Sequence, residues 1–415
     1  MMNTPSVRWY AQATPQQWKT LLASSAGWAL DGMDVMLYAF ALTAIQREFS
    51  LSAAAAGGLA SVTLIASGFG GLLFGTLSDH IGRARALIFS IQAYSVFTAL
   101  SATAVSVPQL VLWRVLVGLG LGGEWAAGSV LVAETWPAEH RGKAISLMQS
   151  GWALGVIVAA VITALVLPSY GWRWLFVLGV LPGFLTFWIR RNIQEPEIWR
   201  RSRSLGPHEP AIASALAIFR PPLLRNTIVT LLMGSSLMFA YWGLFTWIPT
   251  YLSAPAASGG AGMTIVKSSA WIIPVQIGAF FGYAAFGFFA DRFGRRPVFV
   301  AFVLAAAAIV PVYGLSARSQ LTLMILGPLV GFFGHGYFSV FGAMLAELFP
   351  AYVRGTAQGL CYNGARSVGA LAPFCIGALS SKYGIGMTLA SLSIFYVLGA
   401  VTMAFIPETK GAQLR

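Results

Sequence analysis

Charged residues are scarce in this chain. Only 9% of its 415 residues are Asp, Glu, Lys or Arg, while 57% are hydrophobic. That leaves too little polar surface to cover a water-soluble globule of this size. Acid is scarcer than base, with 13 Asp and Glu against 26 Lys and Arg, so every acid inside an apolar stretch stands out. Cysteine is nearly absent. Cys361 and Cys375 fall on one predicted helix, about 21 Å apart along its axis, whereas a disulfide tolerates roughly 7 Å, so they do not pair with each other. Metal-ligand spacings, phosphate-cradling glycine loops and nucleophile elbows are also missing, so no metal or cofactor is expected and the chain does not read as an enzyme. The first apolar stretch is long, holds two aspartates and lacks a small-residue cleavage site, so it is expected to remain as a helix and not to be removed as a signal peptide.

What is present is a series of long apolar runs. A bilayer core about 30 Å thick needs roughly 20 apolar residues per spanning helix. Twelve such segments are expected, at 19–43, 52–77, 86–105, 108–133, 144–167, 172–190, 226–252, 267–290, 297–316, 320–346, 356–379 and 386–406. The 45 glycines and 20 prolines agree with this, since both are commoner in membrane helices than in soluble ones. A net charge of +13 raises the question of a nucleic-acid partner, which the placement of the basic residues decides. With the N-terminus inside, Arg47, Arg173, Lys267, Arg318 and Lys382 lie outside, Arg114 and Arg366 lie within spans, and every other Lys and Arg is cytoplasmic. This bias is the positive-inside rule, so both termini are expected in the cytoplasm and no nucleic-acid partner is.

The chain repeats itself at a shift of 212 or 213 residues, the mark of a duplicated unit. Gly75-Thr-Leu77-Ser-Asp79-His80-Ile-Gly82-Arg83 returns as Gly287-Phe-Phe289-Ala-Asp291-Arg292-Phe-Gly294-Arg295. Glu134-Thr-Trp-Pro137 with Arg141-Gly142 returns as Glu347-Leu-Phe-Pro350 with Arg354-Gly355, and Leu116-Val117-Gly118 returns as Leu329-Val330-Gly331. Between the copies, Glu195-Pro196-Glu197, Arg200, Arg201, Arg203, His208-Glu209-Pro210 and Pro221-Pro222 mark a polar linker. The expected organisation is an all-α membrane protein with a six-helix bundle in 1–190, a linker in 191–225 and a second bundle in 226–415. A central site near mid-membrane is a known plan for such duplicated carriers.

The Gly-x-Leu-x-Asp-(basic)-x-Gly-Arg signature, its echo, Arg114 and the Pro407-Glu408-Thr409-Lys410-Gly411 tail resemble the major facilitator superfamily. Within it, Asp31-Gly32-Met33-Asp34, Gly122-Gly123-Glu124-Trp125, Gly171-Trp172-Arg173 and Glu195-Pro196-Glu197-Ile-Trp199 are similar to the organic-acid/proton symporters, which include sialic acid, aromatic acid and monocarboxylate carriers. His80 and Ala84 depart from the usual basic residues of the first loop motif. The resemblance implies a monomeric inner-membrane carrier that moves by rocking of its two halves.

Charge at the bilayer centre costs about 2.5–3.5 kcal/mol per residue, so in-span ionisable groups are candidates for function. Asp31 and Asp34 share one helix face with Tyr38. Burial and like charge both oppose ionisation of two neighbouring carboxyls, so one is a candidate proton carrier, Asp34 being favoured, against a purely structural ion pair with an arginine. By depth Asp34 and Arg114 are expected to be able to pair. Arg114 and Arg366 each offer a planar donor for a carboxylate, or else hold helices through backbone carbonyls. Arg366, whose face Asn363 shares, is the expected substrate anchor, because the resemblance makes Arg114 more a coupling or structural residue. Glu124 is a second proton candidate, and His335 a cavity or titrating residue. Tyr241, Gln276, Trp242, Gln149 and Trp152 are further lining candidates.

None of these in-span acids recurs in the second copy: Asp31 and Asp34 become Gly243 and Thr246, Glu124 becomes Tyr337, and Arg114 becomes Gly327. The first half is therefore expected to handle protons and the second more of the substrate. The loop residues read as gating chemistry: Asp79 with Arg83, Asp291 with Arg295 and Arg296, Glu134 with Arg141, and the repeated Glu347 and Arg354. The expected function is import of a small organic acid with protons. A carrier of a neutral or zwitterionic solute is the rival, and a non-transporting sensor a more distant one.

Overall fold

The computed structural model describes residues 9–51, 53–204, 211–263, 271–316 and 319–414. Lys267, Arg318 and His208-Glu209-Pro210 lie outside these, so nothing follows for them. Among the described residues nine helices are long and apolar enough to cross a membrane, and the helices group into the twelve spans of an all-α membrane fold. In the first half they are α1 (Pro15–Glu48), α2 (Ala53–Ile81), α3 (Arg83–Ser101), α4 (Val107–Thr135), α5 (Arg141–Tyr170) and α6 (Trp172–Asn192). In the second they are α7 (Leu224–Ser253), α8 (Ile272–Phe293), α9 (Arg295–Leu315), α10 (Gln320–Leu348), α11 (from Arg354 to Tyr383) and α12 (Ile385–Met403). The linker carries two short helices, Glu197–Ser204 and Ala211–Ala217.

Local sequence explains where these helices start and bend. Thr14 caps α1 by accepting from the Gln17 backbone N–H while the Gln17 side chain reciprocates, and Pro15 supplies the fixed φ of a first helical residue. Several expected spans are interrupted. α6 breaks after Leu178, α10 between Gly336 and Ser339, and α12 after Ser391. α11 contains a wide π turn over Gly359–Gly364, the kind of local insertion that re-aims side chains at a site.

The duplication is visible in backbone contacts. Gly118 of α4 lies against the Thr63 carbonyl of α2, and Gly331 of α10 against the Val275 carbonyl of α8, at corresponding positions of the two halves. A Cβ at either would collide with that carbonyl, so glycine permits the close helix approach that membrane packing depends on. α4 is buried without interruption from Gly120 to Glu134, which makes it a central helix. By contrast, α6 turns Phe184 and Phe187 outward, as a lipid-facing helix does.

Candidate functional site

A constricted cavity of about 20 Å³, room for little more than a water molecule, lies between the halves. Trp28 of α1 and Trp152 of α5 wall it from the first half; Met238, Tyr241 and Trp242 of α7, Tyr283 of α8, Phe338 of α10, and Tyr362 and Arg366 of α11 wall it from the second. Trp28 and Trp152 pack with ring centroids 4.9 Å apart, and Tyr362 is fixed by stacking on Trp125 at 3.6 Å. Arg366 is the charged side chain among the lining residues. Its guanidinium carbon lies 5.6 Å from the Trp152 ring and 5.8 Å from the Trp242 ring, within cation–π range. Across the interface its Nη2 is 3.7 Å from Asp31 Oδ1, and both side chains are buried.

The other in-span candidates sit elsewhere. Arg114 lies inside the first half, with Nη1 3.8 Å from Asp34 Oδ2, Nε donating to Thr63 Oγ1 at 3.2 Å, and its guanidinium 4.4 Å from the Tyr38 ring. Tyr38 in turn stacks on Phe176, so it braces Arg114 and does not line the cavity. Glu124 is fully buried against Gly27 and Gly128, and neither of its oxygens has a hydrogen-bond partner. His335 shares a hydrogen bond through Nδ1 with the Gly331 carbonyl and packs behind the wall, 4.0 Å from the Phe245 ring and 5.0 Å from Tyr241. Asn363 donates to the Gly122 carbonyl at 2.8 Å, tying α11 to α4. Gln276 is buried outside the lining, and Gln149 accepts from the Trp125 indole at 2.7 Å.

Sequence reasoning missed Trp28, Met238, Tyr283, Phe338 and Tyr362. For two of them a signal existed. Trp28 lies three residues before Asp31 and Tyr362 four before Arg366, the spacing of helical neighbours on one face.

The helix ends on the side of the linker and both termini form a second constellation. Arg83 donates to Asp79 at 2.8 Å and to both oxygens of Glu134 at 3.1 and 2.9 Å, and also to the Ala351 carbonyl of the other half. Asp79 accepts from the backbone N–H groups of Gly355 and Thr356, each at 2.8 Å, and so caps the start of α11. In mirror image, Asp291 of α8 accepts from Gly142 and Lys143 at the start of α5, while Arg295 pairs with Asp291 and Glu347. One expected pairing is corrected. Glu134 bonds not to Arg141 but to Arg354 of the other half, and Arg141 reaches Glu347 at 3.0 Å. The reason is that Arg141 Nε is held by the Ala133 carbonyl and Arg354 Nε by those of Ala346 and Phe349, which leaves each guanidinium tip to cross the interface.

Two acids that complete this arrangement were read only as linker and tail. Glu195 accepts from the backbone N–H groups of Arg83, Ala84 and Arg85, and Glu408 from those of Arg295 and Arg296. They stand 213 residues apart, the same shift as the other repeats, so the signal was present in the sequence. Each carboxylate occupies the space beside Gly82 or Gly294, whose φ values of 116° and 110° favour glycine. Burial raises the Glu195 carboxyl above its usual range despite its backbone donors. At Glu408 burial also pushes upward, but backbone donation outweighs it and holds the carboxyl low.

Known proteins resemble this chain over nearly its whole length. The family described as Major Facilitator Superfamily matches residues 25–282 and 268–414. Over 407 residues the chain is 36% identical to a Haemophilus influenzae protein described, provisionally, as a metabolite transport protein, covering 96% of this chain and 98% of that one. Over 388 residues it is 32% identical to the cis,cis-muconate transport protein of Acinetobacter baylyi, covering 91% and 92%. Its fold is similar to that of the proton:xylose symporter XylE of E. coli, with a TM-score of 0.79 over 96% of this chain and 98% of the other at 20% identity.

Proposed function

This chain belongs to the Major Facilitator Superfamily, and from that premise we propose that it imports a small organic acid with protons by alternating access. Residues 1–190 and 226–415 are the moving halves, 191–225 the linker, and both termini lie in the cytoplasm. The carrier acts as a monomer in the inner membrane.

The observation that carries this reading is Arg366, a buried guanidinium in an aromatic-walled cavity, facing a carboxylate of the opposite half at 3.7 Å. A neutral solute gives that cation no charge to meet, whereas an acid replaces Asp31 as its partner. A displaced Asp31 is then a buried carboxylate without a counter-ion, which favours its taking up a proton. The loaded site is neutral again and crosses between states without moving bare charge through a low-dielectric centre. We therefore place the coupling proton at Asp31 in preference to Asp34, which has its own arginine. The muconate carrier among the relatives supports an unsaturated acid as cargo.

Proteoliposomes test this. Lactate, benzoate, hydroxybenzoate, nicotinate, shikimate, muconate and sialate are added outside while lumenal pH is followed, with protein-free liposomes correcting for leak. Protein-dependent acidification by at least one acid is expected. Flux of a neutral solute with no response to any acid would overturn the reading.

A further inference from the structure

The hydrogen-bonding groups left unspent around the cavity are unequal in kind. Trp28 and Trp242 both line it, are 2% and 8% exposed, and have indole N–H groups without an acceptor. Both terminal nitrogens of Arg366 are likewise without a hydrogen bond. A dry, unpartnered N–H is costly, and native proteins keep few of them. Indole can only donate, so two such groups beside a guanidinium make a site short of acceptors. The carboxylate of Asp31 stays at 3.7 Å from Arg366 and accepts a hydrogen bond from none of these groups.

We propose that Trp28 and Trp242 are specificity-determining residues whose indole N–H groups, with Arg366, cradle the substrate carboxylate while the aromatic walls select a flat, unsaturated body. This deepens the reading above and rests on it. The cradle draws on α1 of one half and on α7 and α11 of the other, so one carboxylate touches both halves and its arrival favours their closing around it. The walls add stacking surface from Trp152 and Tyr362, whose positions are set by Trp28 and Trp125. Flat rings stack on such walls in offset or edge-on geometry, which a puckered ring cannot match.

The test separates donor from ring. Trp28→Phe and Trp242→Phe each remove the N–H and keep an aromatic face. Kinetics of exchange in proteoliposomes are compared for benzoate and for cyclohexanecarboxylate, which carry the same carboxylate on a flat and on a puckered ring. Because a hydrogen bond to a charged group is worth about 1.5–3 kcal/mol, each variant is expected to raise KM roughly ten-fold or more for both acids, with the maximal rate changed far less. The preference of wild type for benzoate should persist in the Phe variants and collapse in Trp28→Leu. Unchanged KM in both Phe variants, with wild type carrying the acid, would overturn the cradle and leave the transport reading intact. Failure of wild type to carry or bind any acid would instead sink the reading beneath it. The two residues lie in opposite halves, so if one variant folds poorly the other makes the same measurement, and calorimetric titration of purified protein with benzoate gives the affinity without transport.

Discussion

Asp31 and Asp34 are one helical turn apart, yet their surroundings assign them different work. Asp34 and Arg114 face each other within the first half, and Arg114 is also held by Thr63 and the Tyr38 ring. Asp31 faces Arg366, which lines the cavity, from across the interface. Removing one member of an enclosed pair strands the other, at a cost of about 3–5 kcal/mol. Asp34→Asn is therefore expected to lower thermal stability and expression whatever acid is present. Asp31→Asn strands Arg366 instead, but there an incoming carboxylate can replace the lost partner. That variant should still bind and exchange the acid, be stabilised by it more than wild type is, and lose pH-driven accumulation. Intact accumulation in Asp31→Asn, with loss in Asp34→Asn, would return the coupling proton to Asp34. Glu124, a third buried carboxyl beside two arginines, leaves the set with one acid more than it has cations.

Helix ends carry the repeated machinery. Glu195 and Glu408 cap the starts of α3 and α9, a role open to them only because Gly82 and Gly294 vacate the space. The Glu408 carboxyl is held below its ordinary value of 4.5, so its stabilising contribution is fully present above that pH and is lost as pH falls through the lowered folded value. Glu408→Gln is expected to lower the melting temperature of the purified carrier at neutral pH, by the equivalent of about 1 kcal/mol for a helix cap. The gap to wild type should narrow as pH drops below 4.5. A gap that stays constant with pH would mean that the ionised carboxylate is not what caps α9. Glu195 has the opposite sign. Its raised value means that burying the ionised form costs stability, which is recovered as pH falls through that value toward the ordinary one.

Much of the molecule was legible because its constraints are one-dimensional. Span length and the shift of 213 both reside in the chain itself, and they suffice for an all-α fold of twelve helices. The Arg114 and Asp34 proximity followed from depth alone. What resisted was anything decided by convergence. The wall residues Tyr283 and Phe338 carry no charge to single them out among 28 Phe and 13 Tyr, and the π turn that aims Arg366 is not encoded by any one residue of Gly359–Gly364. The exchanged pairing of Glu134 with Arg354 and of Glu347 with Arg141 was likewise hidden, because neighbours in sequence suggest partners that the interface overrules.

That exchange gives the closure on the linker side its strength. Glu134 neutralises Arg83 of its own half and Arg354 of the other, and all three side chains are fully buried while the halves are together. When these helix ends part, Arg354 leaves and its charge regains water, so the contact exists in one state and not in the other. Glu134→Gln removes the carboxylate between the Arg83 and Arg354 guanidiniums, which then repel each other only in the closed arrangement, Arg83 keeping Asp79, and thus penalises that arrangement selectively. With spin labels in place of Glu139 and Tyr352, exposed on the loops after α4 and α10, wild type is expected to show mainly the short distance. The variant should populate a longer one, and the mirror change Glu347→Gln should do the same through Arg141 and Arg295. Because the two networks share no acid, the double variant should open further than either single one. An unchanged distance distribution in all three would show that close helix packing, and not this ionic exchange, holds the linker side shut.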